Sequence, residues 1–156
     1  MTPGIDAARK AGISHTIHEY EHDSASAGYG DEAAEKLGID PARVFKTLVV
    51  LVDGKNLVVG LVPVTSMLSM KLIAKAAGGK KAVMADPQDV QRRTGYVLGG
   101  VSPLGQKTRL KTVIDASAQA LDTIYISAGR RGLEIELAPD DLAHLTGAKL
   151  APLQQA

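Results

Sequence analysis

Two aliphatic runs, LVVLV at 48–52 and LVVGLV at 57–62, flank Asp-Gly-Lys-Asn at 53–56. A turn-forming stretch between two runs rich in β-branched residues predicts a β-hairpin. Successive residues of both strands are apolar, so both faces of the hairpin must be covered. It belongs inside a sheet with helices over one side and a closed or barrel-like core on the other. The chain has 156 residues, which buries a substantial core and fits one domain spanning 1–156. Phe45 is the one phenylalanine and there is no tryptophan, so that core is built of Val, Leu, Ile and Ala.

Punctuation residues divide the rest. Thr2-Pro3 opens a short helix that Gly12 ends. Residues 15–20 alternate as a strand, and 31–37 read as a helix closed by Gly38. Asp40-Pro41 starts a turn. Ser69 caps a helix that runs to Ala77, and 81–85 form a strand. Asp86-Pro87 opens a helix that stops before Gly95, with Asp89 placed as the far member of a capping box. Residues 96–98, 112–116, 123–127 and 133–137 read as strands, the last two joined in a hairpin through 129–132. Pro139 opens a last helix that ends at Gly147, and 148–150 form a short strand. Strands outnumber helices and do not alternate regularly with them. The fold class is therefore α+β, with a mixed, mainly antiparallel, barrel-like sheet and surrounding helices.

The net charge of +1 is unevenly placed. Residues 71–111 hold nine basic side chains and two acidic ones, Asp86 and Asp89, and the remainder is acid-rich. This asymmetry points to an anionic partner near the middle segment; ordinary solvated helix faces are the structural alternative. Lys80, Lys81, Arg92, Arg93, Lys107 and Arg109 are the candidate contacts there. So few aromatics argue against binding single strands by base stacking. The absence of cysteine excludes disulfides, thiolate metal sites and a Cys nucleophile, and fits a cytoplasmic location. The first dozen residues lack the apolar core of a signal peptide. No apolar run approaches the roughly 20 residues of a membrane helix.

Lys46 is the most informative residue. In VFKTLVVLV at 44–52 it shares a strand face with Val44, Leu48, Val50 and Val52, whereas Thr47 shares the other face with Phe45, Val49 and Leu51. A lysine on an apolar face needs water or an anion for its ammonium. It can clamp an anion or stabilise developing negative charge, or its stem can pack while its head reaches solvent; the sequence leaves both open. The loop GGVSPLGQKTR at 99–109 supplies glycines for close backbone approach, then basic residues, and successive amides in such a turn can form an anion-binding nest. Arg130 and Arg131 sit at a hairpin tip and suit a phosphate backbone. Glu134 and Glu136 share one face of their strand and read as surface acids or as partners of a lysine. His18 and His22 have a four-residue spacing that presents two ligands on one face only in a helix. His18 falls on a strand and no third ligand is spaced with it, so no zinc site is expected.

Four segments, HEYEHD at 18–23, VFKTLVV at 44–50, MADPQDVQRRTGYVLGGVSPLGQKTRL at 84–110 and IYISAGRRGLEIEL at 124–137, together resemble the YbaK-type deacylases. These are free-standing relatives of the editing domain inserted in bacterial prolyl-tRNA synthetases, and the resemblance spans nearly the whole chain. It implies a barrel-like mixed sheet, no metal and no cofactor. The substrate would be an aminoacyl-tRNA, cut at the ester to the terminal adenosine. The family's essential lysine falls on Lys46 and its neighbouring threonine on Thr47. The active-site tyrosine falls on Tyr20, the glycine-loop backbone on Gly99, Gly100 and Ser102, and the serine after the IYxS strand on Ser127. A family aspartate appears here as Glu134, one methylene longer.

The similarity is greatest to the cysteine-specific branch, which implies hydrolysis of Cys-tRNA(Pro) by substrate-assisted thiol attack. Lys46, Gly100 and Ser127 would carry the reaction, and Tyr20, Thr47, Gly99, Ser102 and Glu134 would bind the substrate. Prolyl-tRNA synthetase is the implied partner, a monomer is expected, and no membrane is involved. Another amino acid such as alanine, or a non-catalytic tRNA- or nucleotide-binding module, are the competing readings.

Overall fold

The structure, a computed structural model, describes residues 1–23 and 29–156. Among the described residues, eight strands form two sheets. The larger has the order β4-β2-β3-β5-β8, made of β2 Phe45–Val52, β3 Asn56–Pro63, β4 Ala82–Met84, β5 Lys111–Asp115 and β8 Lys149–Ala151. The smaller has the order β1-β7-β6, made of β1 His15–Glu19, β6 Ile124–Ser127 and β7 Leu133–Leu137. Four of the six pairings are antiparallel, and β3–β5 and β5–β8 are parallel. The expected α+β class with a mixed, mainly antiparallel arrangement is what forms. Among the described residues the sheets do not close into a barrel; they are joined where Val44 makes an isolated parallel bridge to Tyr125.

The β2–β3 hairpin turns on Asp53 and Gly54, at φ 54° and 67°. Two consecutive left-handed residues match the right-handed twist of the flanking strands. Helices α1 Pro3–Ala11, α2 Tyr29–Leu37, α3 Met70–Ala76, α4 Pro87–Thr94 and α5 Pro139–Thr146 surround the sheets. Their starts are written locally. The Thr2 hydroxyl accepts from the Ile5 N–H at 3.2 Å, that of Ser69 from Leu72 at 3.1 Å, and the Asp86 carboxylate from Gln88 at 2.8 Å. Each satisfies a donor that the first turn leaves without a partner.

Three apolar clusters result. Phe45, Val49, Leu61, Ile114, Ile126 and Ile135 lie in the main core, to which both sheets contribute. Val50, Val62, Ile73 and Leu153 fill the space under α3. Ala33 and Ala34 of α2 pack with Val44 and Tyr125, and Tyr20 lies against them.

Three local expectations are corrected. Residues 96–98 form no strand: the Tyr96 hydroxyl donates to the Leu104 carbonyl at 2.7 Å and the Gly100 N–H to Val97 at 3.0 Å, which bends the segment into a turn. Asp89 does not complete a capping box, because its carboxylate takes the Arg92 guanidinium at 2.6 Å one turn along the exposed side of α4. Glu134 and Glu136 are not surface acids. Glu134 is 0% exposed and Glu136 is half-buried, because α2 and the start of β2 cover their face of the small sheet.

Candidate active site

Alternation along the small sheet puts Ile17, Ile126 and Ile135 toward the main core and the polar residues on the opposite face. Two cross-strand rows follow from the register. Ser127, Glu134 and His18 form one; Tyr125, Glu136 and Thr16 form the other. Tyr20 continues β1 in the same sense, its N–H donating to the Gly132 carbonyl at 2.9 Å.

The second row is a closed network. His18 Nε2 lies 2.9 Å from one Glu136 oxygen, and Arg43 and Thr123 approach the other at 3.3 and 2.5 Å. Arg43 also stands over the Tyr125 ring at 5.1 Å. Burial alone would raise the Glu136 carboxyl, but hydrogen bonds from Thr123, His18 and Tyr125 hold it below its ordinary value. His22 serves a different acid: its Nδ1 is 2.6 Å from the buried Glu32, which also accepts from the Asp23 N–H at 2.7 Å. His18 and His22 thus serve separate carboxylates. Glu32 ties residues 22–23 to α2 just beyond Tyr20.

The first row and its surroundings are where the residues implied by the resemblance meet. The Tyr20 hydroxyl is buried without a hydrogen-bond partner. Burial pushes its phenol up to about 12; the charges of Glu134 and Glu32 add to the shift. The Gly132 backbone, close but outside hydrogen-bond geometry, and the Arg131 guanidinium oppose it. The Ser127 oxygen accepts from the Gly129 N–H at 3.1 Å, which leaves its own proton to donate. Just before β2, Val44 bridges to Tyr125, and Lys46 is the next residue on Val44's face. Lys46 pairs in register with the fully buried Val62 and is itself half-buried. Among the described residues, no carboxylate or carbonyl engages its ammonium. The Thr47 hydroxyl, on the other face, is buried and also lacks a partner. Buried polar groups left this way in a folded protein are rare, and a ligand that completes them is one explanation.

The glycine loop closes the site from a third side. A β-carbon on Gly99 would lie 3.2 Å from the Arg131 guanidinium, and one on Gly100 would lie 3.1 Å from the Arg130 Cα. The loop therefore packs against the β6–β7 turn, and Arg130 and Arg131 sit with Gly99 and Gly100. The Gly100 N–H is already committed to Val97. Among the described residues, the N–H groups of Gly99, Val101 and Ser102 donate to nothing, so oxyanion donors in this loop would come from those. The Ser102 side chain faces inward and accepts from the Leu104 N–H at 3.2 Å, which braces the loop. Sequence reasoning missed the rest of that brace. The Thr2 hydroxyl donates to the Ala128 carbonyl, and Gly4 lies against Ser102. The buried Tyr96 reaches Leu104, where two adjacent aromatic-poor segments offered no signal beyond the tyrosine itself.

The remaining basic candidates lie elsewhere. The backbone N–H groups of Lys80 and Lys81 donate to the Asp53 carboxylate at 3.0 and 2.9 Å, at the turn of the β2–β3 hairpin. Arg92 is paired with Asp89. Lys107 stands at the end of α4, its N–H donating to Thr94 at 2.9 Å. Arg93 and Arg109 line one cavity at the same end of the larger sheet.

Tyr20 and Ser127 of the small sheet, Lys46 of β2 and the glycine loop thus make up the candidate site, with the Thr47 hydroxyl on the opposite face of β2. The sequence profile of the aminoacyl-tRNA editing domain matches residues 26–145. The chain belongs to the aminoacyl-tRNA editing domain family. A protein of Enterococcus faecalis with the provisional name Cys-tRNA(Pro)/Cys-tRNA(Cys) deacylase EbsC is 41% identical over 123 residues, 79% of this chain and 75% of that protein. A proline–tRNA ligase of Limosilactobacillus fermentum is 26% identical over 106 residues, 65% of this chain and 18% of the ligase. A solved structure, described as a provisionally assigned trans-editing enzyme for prolyl-tRNA synthetase, superposes with a TM-score of 0.86 at 25% identity. It covers 99% of this chain and 96% of its own.

Proposed function

We propose that this protein is a trans-editing deacylase that removes cysteine from mischarged Cys-tRNA(Pro) in the cytoplasm, as one domain acting beside prolyl-tRNA synthetase. The observation that carries the reading is the pair of buried, unpartnered hydroxyls on Tyr20 and Thr47, with the unpaired Lys46 ammonium adjacent in sequence to one of them. The 41% identity to a relative named for this activity supports the substrate.

The substrate supplies its own nucleophile. Its thiol sulfur bonds to the carbonyl carbon, the ester bond to the ribose oxygen breaks, and the thiol proton passes to that departing oxygen. The products are tRNA and a cysteine thiolactone, which water opens to cysteine. The protein's share is positioning and electrostatics. Lys46 holds the terminal nucleotide's phosphate and offsets charge on the departing oxygen. Loop amides orient the carbonyl. Ser127 and Thr47 donate to the substrate's polar atoms, and the Glu134 carboxylate, with Tyr20 beside it, matches the α-ammonium. Cysteine and proline are similar in volume, and a binding pocket separates near-isosteres by only about 10- to 200-fold. A mechanism that requires a thiol spares prolyl-tRNA without any size filter.

The test is loss of ester from Cys-, Ala- and Pro-tRNA(Pro), labelled on the amino acid, with Lys46→Ala alongside. Rapid loss of cysteine alone, abolished in the variant, is the expected result. Equal loss of alanine and cysteine would overturn the thiol mechanism. No loss of any ester above buffer would overturn the enzyme reading.

A further inference from the structure

At the turn end of the β2–β3 hairpin lies a cavity of about 350 Å³ that Lys55, Arg93, Arg109 and Lys111 line together with apolar residues and Asn56, and no carboxylate. Three separate segments deliver these cations. Lys55 comes from the hairpin turn, Arg93 from the last turn of α4, and Arg109 and Lys111 from the stretch that runs from the glycine loop into β5. Two of the segments are anchored: the Thr108 N–H donates to the Arg93 carbonyl at 2.9 Å, and Lys111 Nζ to the Ala77 carbonyl at 3.2 Å. The nearby acid, Asp53, is occupied by the N–H groups of Lys80 and Lys81, whose exposed side chains add to the positive charge at this end. Cations gathered round one cavity repel one another and do not stabilise the fold, although the Arg109 guanidinium also reaches Gly147 at the end of α5. An anion relieves that repulsion.

The cavity also stands at a definite distance from the candidate active site. Val52 lines it and shares a face of β2 with Lys46, six residues back. An extended strand covers about 20 Å in that span. The cavity therefore lies about 20 Å from Lys46, at the other end of β2.

We infer that this cavity is a phosphate-backbone site that grips the acceptor end of the substrate tRNA, about 20 Å from Lys46. The inference rests on the proposed editing function, but it concerns affinity and not chemistry.

The experiment compares wild type with Lys55→Gln/Arg93→Gln on two substrates, Cys-tRNA(Pro) and the cysteinyl ester of adenosine, across 0.05–0.3 M salt. Loss of two phosphate contacts lowers the log–log salt slope by about 1.8 and weakens binding roughly 30-fold at 0.15 M salt. KM for the acyl-tRNA rises by that factor, kcat holds, and the adenosine ester is cleaved as before. The anisotropy Kd of uncharged, labelled tRNA shifts equally, so the cavity is tested even if wild type proves to hydrolyse no ester, which would sink the editing function alone. An unchanged Kd and slope overturn the inference. So does an equal loss on the adenosine ester, or displacement of tRNA by submillimolar inorganic phosphate at constant ionic strength, which would mark a small-anion site. If the double variant melts early, Lys55→Gln alone, on an exposed turn, must still lower the slope by about 0.9.

Discussion

Gly100 packs directly on the backbone of Arg130, so close that a β-carbon on the glycine would sit 3.1 Å from the arginine Cα. This contact sets the glycine loop against the β6–β7 turn and thereby against Ser127 and Arg131. Gly100→Ala must push the two apart by a few tenths of an ångström, and overpacking of this kind costs about 1–3 kcal/mol. Deacylation of Cys-tRNA(Pro) should fall at least tenfold while the protein stays folded with a lowered Tm. Full activity in this variant would show that the contact does not set the site.

The hydroxyls of Tyr20 and Thr47 make no hydrogen bond in the free protein. Removing a buried, unsatisfied hydroxyl relieves a penalty of about 1–3 kcal/mol. Tyr20→Phe and Thr47→Val should therefore leave thermal stability equal or higher, yet lower deacylation by about tenfold or more. Melting curves and single-turnover rates measured together decide the point. Lower stability with normal activity would mean that these hydroxyls serve the fold.

Lys46 is half-buried opposite the fully buried Val62. A guanidinium keeps the charge but is larger, planar and less able to act as a compact point charge. Lys46→Arg should retain the fold and lose at least tenfold in kcat/KM. An arginine variant as active as wild type would rule out a tightly fitted ammonium.

Burial pushes both Tyr20 and Tyr96 up to about 12, from an ordinary 10.0. Protons are therefore held more tightly by these phenols in the folded state. Their contribution to stability is complete below about pH 10 and is lost as pH rises from there through 12. Denaturant midpoints should decline across that window, and the decline should be shallower in Tyr20→Phe. An equal slope in the variant would remove Tyr20 from the linkage.

Asp115 is buried and holds the end of the chain, accepting from the Leu153 N–H and the Gln154 amide at 2.8 Å each and from the Ser117 N–H at 3.2 Å. Burial opposes its charge, but these donors outweigh burial and keep the carboxyl below its ordinary value of 3.8. Its contribution to stability is present above that ordinary value and lost as pH falls through the lower folded value. Asp115→Asn should cost about 1–3 kcal/mol at neutral pH. It should also raise hydrogen exchange at Leu153, which is otherwise fully buried. Unchanged exchange there would refute the anchor.

Much of the architecture was legible because local chemistry wrote it. Thr2, Ser69 and Asp86 cap their helices, Gly12, Gly95 and Gly147 end theirs in left-handed conformation, and Asp53-Gly54 turns the central hairpin. The 96–98 segment misled because a short apolar run has the same period in a strand as in a turn over a buried tyrosine. The site was legible as membership, not as geometry. Gly100 was expected to offer its amide, but that amide closes a turn on Val97. Ser102 was expected to lend its backbone to the loop, and its hydroxyl in addition braces that loop.

By itself the sequence determined most of the strands, the caps at Thr2, Ser69 and Asp86, the aliphatic core and the family, because each rests on neighbours within a few residues or on a pattern carried along the chain. Alternation showed that Glu134 and Glu136 share one face of their strand, but not whether water or protein covers it. Only the tertiary structure decided that, by laying α2 and the start of β2 over the face and burying Glu134 completely. It likewise parted the basic residues, sending Arg130 and Arg131 to the glycine loop and Arg93 and Arg109 to a cavity at the far end of β2. Charge in a sequence has position along one line, and its field depends on which distant segments packing brings together.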